Sequence, residues 1–390
     1  MADKAHITPK ILKWARESAR MSKEEAALKV AVPVDRLQKW EEGILQPTIH
    51  QAETLAKAYH RPFALFFLPD IPRDFQPLQD FRRKTARPLG TASVFIIREL
   101  RQKQAWISEV FEENRDRKLS FVGKYTINDN PVDVANDILA TLDIQPLYYT
   151  HDKPIREWIE KAESNGIFIS RTSFIHSRMK LDSEELQGFA VSDPFAPFIF
   201  INSDDWDAPQ LFTLVHELAH IWIAESGISN EIESEAGFEK EKHPVELFCN
   251  EVAANALMPI TVMESLDILV FDSVREVYKT ARGLGTSSIA LIYRAFGLKL
   301  IKADKYRALK VEAQKDYEEF LVGEEERKLR RKAHTGGPSP YLLRLHKNGR
   351  LFTQIVLDAF RGGSVDPAQA SSLLNTQVTN FHKLEAQLYR

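Results

Sequence analysis

Cysteine is nearly absent. The 390 residues hold one, Cys249, which excludes an internal disulfide framework and agrees with a reducing compartment. No apolar run approaches the ~20 residues needed to cross a bilayer. The opening Met1-Ala-Asp-Lys-Ala-His6 has neither a signal-peptide core nor a cleavage pattern. These absences point to the cytoplasm and away from membranes. There is no excess of positive charge either: a formal net charge of −3 gives no global attraction to nucleic acid, so any DNA contact must come from a local patch. Internal repeats and low-complexity tracts are also missing. What is present, 44% hydrophobic and 27% charged residues, describes a soluble globular chain long enough for two or three domains with their own cores.

One stretch concentrates the chemistry: Leu211-Phe-Thr-Leu-Val-His-Glu-Leu-Ala-His-Ile-Trp-Ile223. On an α-helix, residues four apart project about 40° from one another, so His216 and His220 share a face. Two neutral imidazoles at that spacing can take two corners of a Zn²⁺ tetrahedron, and Glu217 can serve a water at the metal as general base. Chance alone produces this short pattern in some chains. Here, however, apolar residues fill the surrounding positions, so the helix is buried and an unpaired Glu217 would be costly unless a metal and its water relieve it. Catalytic zinc generally takes three protein ligands. Pro244 to Pro259 reads as a second helix, and in it Glu246 lies one turn before Asn250. A carboxylate and an amide thus share a face, one to bind metal and one to orient a liganding imidazole.

At the N-terminus, Thr8-Pro9 opens a helix with an apolar stripe at Ile11, Leu12, Ala15 and Ala19. Ser22 with Glu25 is a capping box for a second helix through Val30. Pro33, at a first helical position, starts a third that ends at Gly43, and Pro47-Thr48 leads into a fourth. These short helices suggest a helix-turn-helix bundle. Ser22-Lys-Glu-Glu-Ala26, Leu37-Gln-Lys-Trp-Glu-Glu-Gly43 and Pro47-Thr48 resemble the XRE-type helix-turn-helix family over about 55 residues. The resemblance implies that Val34, Asp35, Gln38 and Lys39 face the major groove, and Lys29 and Arg36 could bind phosphate. An apolar and an acidic side chain among the four base-reading positions favour little base discrimination. The apolar, proline-rich Arg61 to Pro72 reads as packing against the bundle, and the basic run 80–87 as a solvated face.

Between about 90 and 300, helical spacing predicts helices over 93–117, from Pro131, and over 154–164. The period then changes. Gly166-Ile-Phe-Ile-Ser170, Gly188-Phe-Ala-Val191 and Phe198-Ile-Phe-Ile-Asn202 read as short strands leading into the metal helix, the second of them a candidate free edge for pairing with an extended peptide. The polar, acid-rich 225–243 reads as a loop over the site.

Gly188 to Val191, Pro197 to Asn202, Phe212 to His220, Glu246 to Asn250 with Ala253-Ala254 and Leu257-Met-Pro259, and Ser287 to Ala290 with Tyr293-Arg294 and Gly297-Leu298 together resemble an ImmA/IrrE-type metallo-endopeptidase. That family is also found behind an XRE-type domain. The resemblance implies a zinc-dependent endopeptidase acting on a regulatory protein of the repressor or antitoxin type. It assigns His216, His220 and Glu246 to metal and Glu217 to the general base. Cys249 and Val252 depart from the family's usual Ala and Phe. A thiolate facing zinc and a buried small hydrophobe are both open to Cys249, and Tyr293 and His243 are only guesses for a transition-state donor.

Residues 302–333 read as a charged helix with a solvated basic and acidic run, broken at 335–340, before a small helical module suited to docking, dimerisation or packing on the peptidase. The expected fold is α+β and mainly helical. It comprises an N-terminal helix-turn-helix bundle (1–70), a zincin-like core with a small mixed sheet (71–304) and a C-terminal helical module (305–390). Two function classes stay open: a zinc endopeptidase that cleaves one regulator, and a DNA-binding regulator or antitoxin-like protein with a structural or vestigial metal site.

Overall fold

The computed structural model describes residues 3–72, 78–80, 88–176, 179–229, 243–332 and 337–389. Residues 81–87 of the basic run, residues 230–242 of the acid-rich loop, residues 333–336, with which the break at 335–340 begins, and the side chains of 322–332 lie outside the described residues. Two compact units are present. One comprises Met1–Pro77, Arg87–Gln102 and Phe174–Glu185, the other Leu78–Ala86, Lys103–Ser173 and Leu186–Arg390. The chain is α+β and mainly helical, with a helix-turn-helix bundle at the N-terminus, a zincin-like core on a small mixed sheet, and C-terminal helices.

The first unit begins with α1 (Pro9–Ser18), α2 (Lys23–Lys29), α3 (Val34–Glu41) and α4 (Ile49–Ala58). Local chemistry sets their starts: Ser22 and Glu25 form a reciprocal capping box before α2, as Thr48 and Gln51 do before α4, each satisfying backbone N–H groups that a helix end leaves open. Pro33 precedes α3 as its N-cap rather than standing first within it. Its fixed φ serves either position. Ile11, Leu12, Leu37, Trp40, Leu55 and Tyr59 are the buried centre. Beside them, Arg16 Nε and Nη2 donate to the Glu41 carboxylate at 2.7 and 3.0 Å. The 3₁₀ turn Phe63–Phe67 buries Phe66 against this bundle, and the Thr8 hydroxyl donates to the Leu68 carbonyl at 2.8 Å.

After β1 (Gln79–Asp80) comes α5 (Thr91–Glu113), whose first half belongs to the first unit. There the Arg98 guanidinium donates to the carbonyls of Tyr59 and Ser18. The chain continues through α6 (Pro131–Leu142), α7 (Pro154–Ser164) and β2 (Phe168–Thr172), then the hairpin β3 (Phe174–His176) and β4 (Met179–Lys180) of the first unit. β2 starts two residues later than the apolar run Gly166–Ser170 suggests, because Gly166 is spent on the preceding turn at φ +84°. Then follow β5 (Gly188–Val191), β6 (Phe198–Asn202), α8 (Asp207–Trp222), β7 (Gly227–Ser229), α9 (Pro244–Leu257), α10 (Ile260–Ser265), α11 (Val274–Leu284), α12 (Ser288–Gly297), α13 (Ala303–Lys332), α14 (Pro340–Asn348), α15 (Arg350–Arg361), α16 (Pro367–Leu373) and α17 (Phe381–Leu388).

The sheet of the second unit runs β1-β7-β5-β6-β2. β5 is antiparallel to both β6 and β7, so it is central and has no free edge. This corrects the expectation that β5 offers an edge to a peptide: β7, the three-residue strand that comes after α8, occupies that side. Both faces are covered. Ile169, Ala190, Ile199 and Ile201 face the helical core around α8. On the other face Phe168 stacks on Phe198 at 4.6 Å and Phe189 on Phe200 at 5.2 Å, while Phe352 of α15 packs edge-on to Phe168 and Phe198. A strand buried on both sides reads as an unbroken apolar run, as Phe198-Ile-Phe-Ile201 does. The C-terminal helices are therefore part of the second unit, and the Ser170 hydroxyl donates to the Lys347 carbonyl at 2.6 Å.

Candidate functional site

α8 supplies the centre of the site because it is buried almost all round: His216, Glu217 and His220 are at most 1% exposed. Its last turn is fixed from outside. Trp222 Nε1 donates to Asp137 of α6 at 2.9 Å, Phe121 stacks on the indole at 4.4 Å, and Gly123 and Tyr125 donate N–H groups to the Ile221 and Trp222 carbonyls. These bonds satisfy acceptors that a helix end would otherwise leave open.

α9 crosses α8 and brings Glu246 to the two imidazoles. The Nε2 atoms of His216 and His220 each lie 3.2 Å from one Glu246 oxygen and 3.1 Å from each other. His216, His220 and Glu246 form the one group among the described residues whose ligand atoms could hold a metal, all within 4.8 Å. Asn250, one turn on, places its Oδ1 2.9 Å from His216 Nδ1. An amide oxygen only accepts, so the His216 proton resides on Nδ1 and its Nε2 presents a lone pair to the centre. Both Glu246 oxygens are buried without a hydrogen-bond donor. Burial raises this carboxyl, whereas positive charge on the two adjacent imidazoles would lower it to about 2; with the imidazoles neutral, a metal cation among them would supply that positive charge. Lone pairs converging on a buried point are unfavourable unless a cation sits among them, so the donor set fits a zinc ion.

Glu217 lies against β5. A Cβ at Gly188 would come within 2.9 Å of its Oε1 and within 2.5 Å of the Thr213 methyl, so only glycine leaves the carboxylate its place. Cys249 is fully buried in the apolar core. Burial pushes its thiol well above the ordinary value, reinforced by the negative charges of Glu246, Glu217 and Glu225. It is a neutral core residue, not a thiolate. His243 is not a member of the three-residue cluster and instead accepts the Val245 N–H as the N-cap of α9, while Tyr293 of α12 is 40% exposed. Sequence reasoning assigned no role to Gly188 or Arg294. The first was signalled by a glycine inside a β-prone run; the second had no local signal. Arg294 of α12 donates to Asn255 Oδ1 at 2.6 Å and to the Met258 carbonyl at 3.3 Å, tying down the end of α9.

Residues 162–295 match Peptidase_M78, the IrrE N-terminal-like domain. The M78 region spans every residue of this cluster, and residues 12–66 match HTH_3, a helix-turn-helix. The chain thus joins an IrrE-like peptidase region to an XRE-type helix-turn-helix region, which supports a metallopeptidase-type enzyme or regulator. No curated protein matches the chain. No helix among the described residues is long and apolar enough to cross a membrane.

On the helix-turn-helix surface, Lys29, Asp35 and Arg36 are exposed and Val34, Gln38 and Lys39 half-buried. Lys39 Nζ pairs with Asp35 at 2.7 Å, and Gln38 donates to Glu42 at 2.7 Å while accepting from Lys23. Three of the four expected base-reading side chains, Asp35, Gln38 and Lys39, are therefore held by neighbours within the bundle.

Proposed function

We propose that the protein is a zinc-dependent endopeptidase that cleaves one specific regulatory protein, of the repressor or antitoxin type. In this reading residues 71–304 carry the peptidase, 1–70 the helix-turn-helix domain and 305–390 a C-terminal module. The convergence of three buried ligand residues beside a second buried acid, Glu217, is the observation that carries it. His216, His220 and Glu246 would hold the metal, with Asn250 fixing the His216 tautomer. Bound zinc would supply Lewis-acid polarisation of the scissile carbonyl and acidify a water. Glu217 takes the water's proton on its carboxylate and passes it to the leaving amine, a transfer for which it is held by the space that Gly188 leaves. A purely structural zinc needs no such base, so Glu217 separates this reading from a DNA-binding regulator with a structural metal.

The test uses Glu217→Gln, which should keep fold and zinc, lose at least about a hundredfold in turnover, and retain its substrate as an uncleaved complex. Proteins captured on this variant from the native host are then offered to the wild type with and without chelator. Cleavage of a captured regulator that stops with chelator is the expected result. If casein is digested readily and no captured protein is cut, the specific-partner reading fails. If neither is cut, the DNA-binding regulator replaces it.

A further inference from the structure

β5 lies against Glu217, since a Cβ at Gly188 would come within 2.9 Å of its Oε1. One edge of β5 pairs with β6 along its whole length. The other is covered by β7, with Gly188 opposite Ser229, Phe189 opposite Ile228 and Ala190 opposite Gly227. Ser226, just before β7, extends the cover by accepting the Ser192 N–H on its hydroxyl oxygen at 2.8 Å. An extended peptide held by main-chain pairing beside Glu217 would run along β5 in this same place. No other edge among the described residues serves as well. The sheet ends at β1 and β2, each two strands from β5 and so roughly 10 Å from it at the usual strand spacing.

The cover is slight, and it is tethered to the metal helix. After α8 ends at Trp222, Ala224 turns the chain at φ +55° and the Glu225 N–H donates to the His220 carbonyl at 3.0 Å. β7 follows at once and is three residues long. Its outer neighbour β1 pairs with it at two positions, Gln79 opposite Gly227 and Asp80 opposite Ile228. Each main-chain hydrogen bond contributes little net of its exchange with water. Replacing one antiparallel strand by another would also leave every N–H and C=O of β5 paired, so the exchange strands no buried polar group.

We propose that β7 is an exchangeable strap, occupying the edge of β5 on which an extended segment of the protein substrate pairs, and that it keeps the peptidase latent until it leaves. This rests on the peptidase reading above. Consecutive strand residues direct their N–H groups to opposite edges and proline has none, so Gly227→Pro with Ile228→Pro removes one N–H facing β5. The zinc-loaded full-length protein is titrated by calorimetry with acetohydroxamate, a metal chelator alone, and with Pro-Leu-Gly-hydroxamate, the same chelator on a tripeptide. In the wild type the tripeptide should add less than about threefold in affinity. In the double variant it should add about tenfold or more, because a larger fraction of molecules has β5 open, while acetohydroxamate binds as before. The bound tripeptide should also slow amide hydrogen exchange along β5. Ser226→Ala, which removes only the Ser192 contact, should tighten tripeptide binding by about two- to tenfold, and it reads the strap even if the proline variant does not fold. The strap is overturned if the folded variants bind the tripeptide no tighter than the wild type, if the tripeptide adds as much affinity in the wild type, or if exchange along β5 does not change. A protein that takes up no zinc, or does not bind acetohydroxamate, rejects the peptidase reading itself and the strap with it.

Discussion

Glu246 and Glu251 stand on the same helix, little more than a turn apart, yet Glu246 is 2% exposed and faces two imidazoles while Glu251 points to solvent. Glu246→Ala should therefore empty the site of zinc, and Glu251→Ala should leave one metal per chain. Asn250→Ala, which removes only the partner of His216 Nδ1, should weaken metal binding by about 10- to 100-fold. Metal analysis after equilibrium dialysis reads all three, and a Glu251→Ala protein that loses metal while Glu246→Ala keeps it would reject the ligand set. A second buried acid behaves oppositely. Glu163, 7% exposed, accepts the Leu351 N–H at 3.1 Å. Burial pushes its carboxyl up to about 7, against the opposing pull of the Leu351 and Arg350 N–H groups and the Arg350 charge. The folded value lies above the unfolded one, so its contribution to stability is complete at low pH and is lost as pH rises through about 7. Glu163→Gln should match the wild type near pH 5 and exceed it near pH 8 by up to about 3 kcal/mol. Urea unfolding of both chelated proteins at the two pH values checks this, and a difference that does not change with pH would count against it.

Elements, rather than residues, decide where that acid sits. Gly349 joins α14 to α15 at φ +84°, and a Cβ there would meet the Ile169 carbonyl of β2 at 2.5 Å. Gly349→Ala should cost about 1–3 kcal/mol or more, since it adds a backbone clash to a left-handed conformation. Gly363→Ala, at φ +75° with nothing within 4 Å of the new methyl, carries the conformational cost alone and should lose about 1 kcal/mol. Equal losses would mean that the turn has room at β2. The same elements explain what the sequence made legible. Helix starts were readable because their signals are local: Ser22 with Glu25, and proline at the first position of α6 and α7. The His216, Glu217 and His220 spacing and the Glu246 to Asn250 turn were readable for the same reason. The placement of β5 was not. Its second neighbour, β7, is three residues long and β1 two, too short to show any alternation, so β5 looked like an edge until its pairing was seen.

At the scale of the molecule, what escaped the sequence is long-range. Nothing local in Lys347 or Phe352 announces contact with Ser170 and Phe168 nearly half the chain away. The two-sided apolar run of β6 implied that a second cover existed without saying which segment supplied it. DNA binding is subject to the same kind of summation over the whole chain. The net charge is −3, so attraction must come from the helix-turn-helix surface, where Lys39 is already paired with Asp35 and Lys29 and Arg36 remain exposed. Each phosphate neutralised contributes about −0.9 to the slope of log K against log salt. Two such contacts predict a slope near −2 per chain and dissociation constants of about 10⁻⁴–10⁻⁶ M at physiological salt, the non-specific range. Lys29→Ala and Arg36→Ala should each flatten that slope by about one, while Val34→Ala should change little, having no hydrogen bond to give a base edge. Fluorescence anisotropy with unrelated duplexes at several salt concentrations measures both slope and selectivity. Nanomolar binding to one duplex that persists at high salt would show that the bundle reads bases after all, through groups other than the paired Gln38 and Lys39.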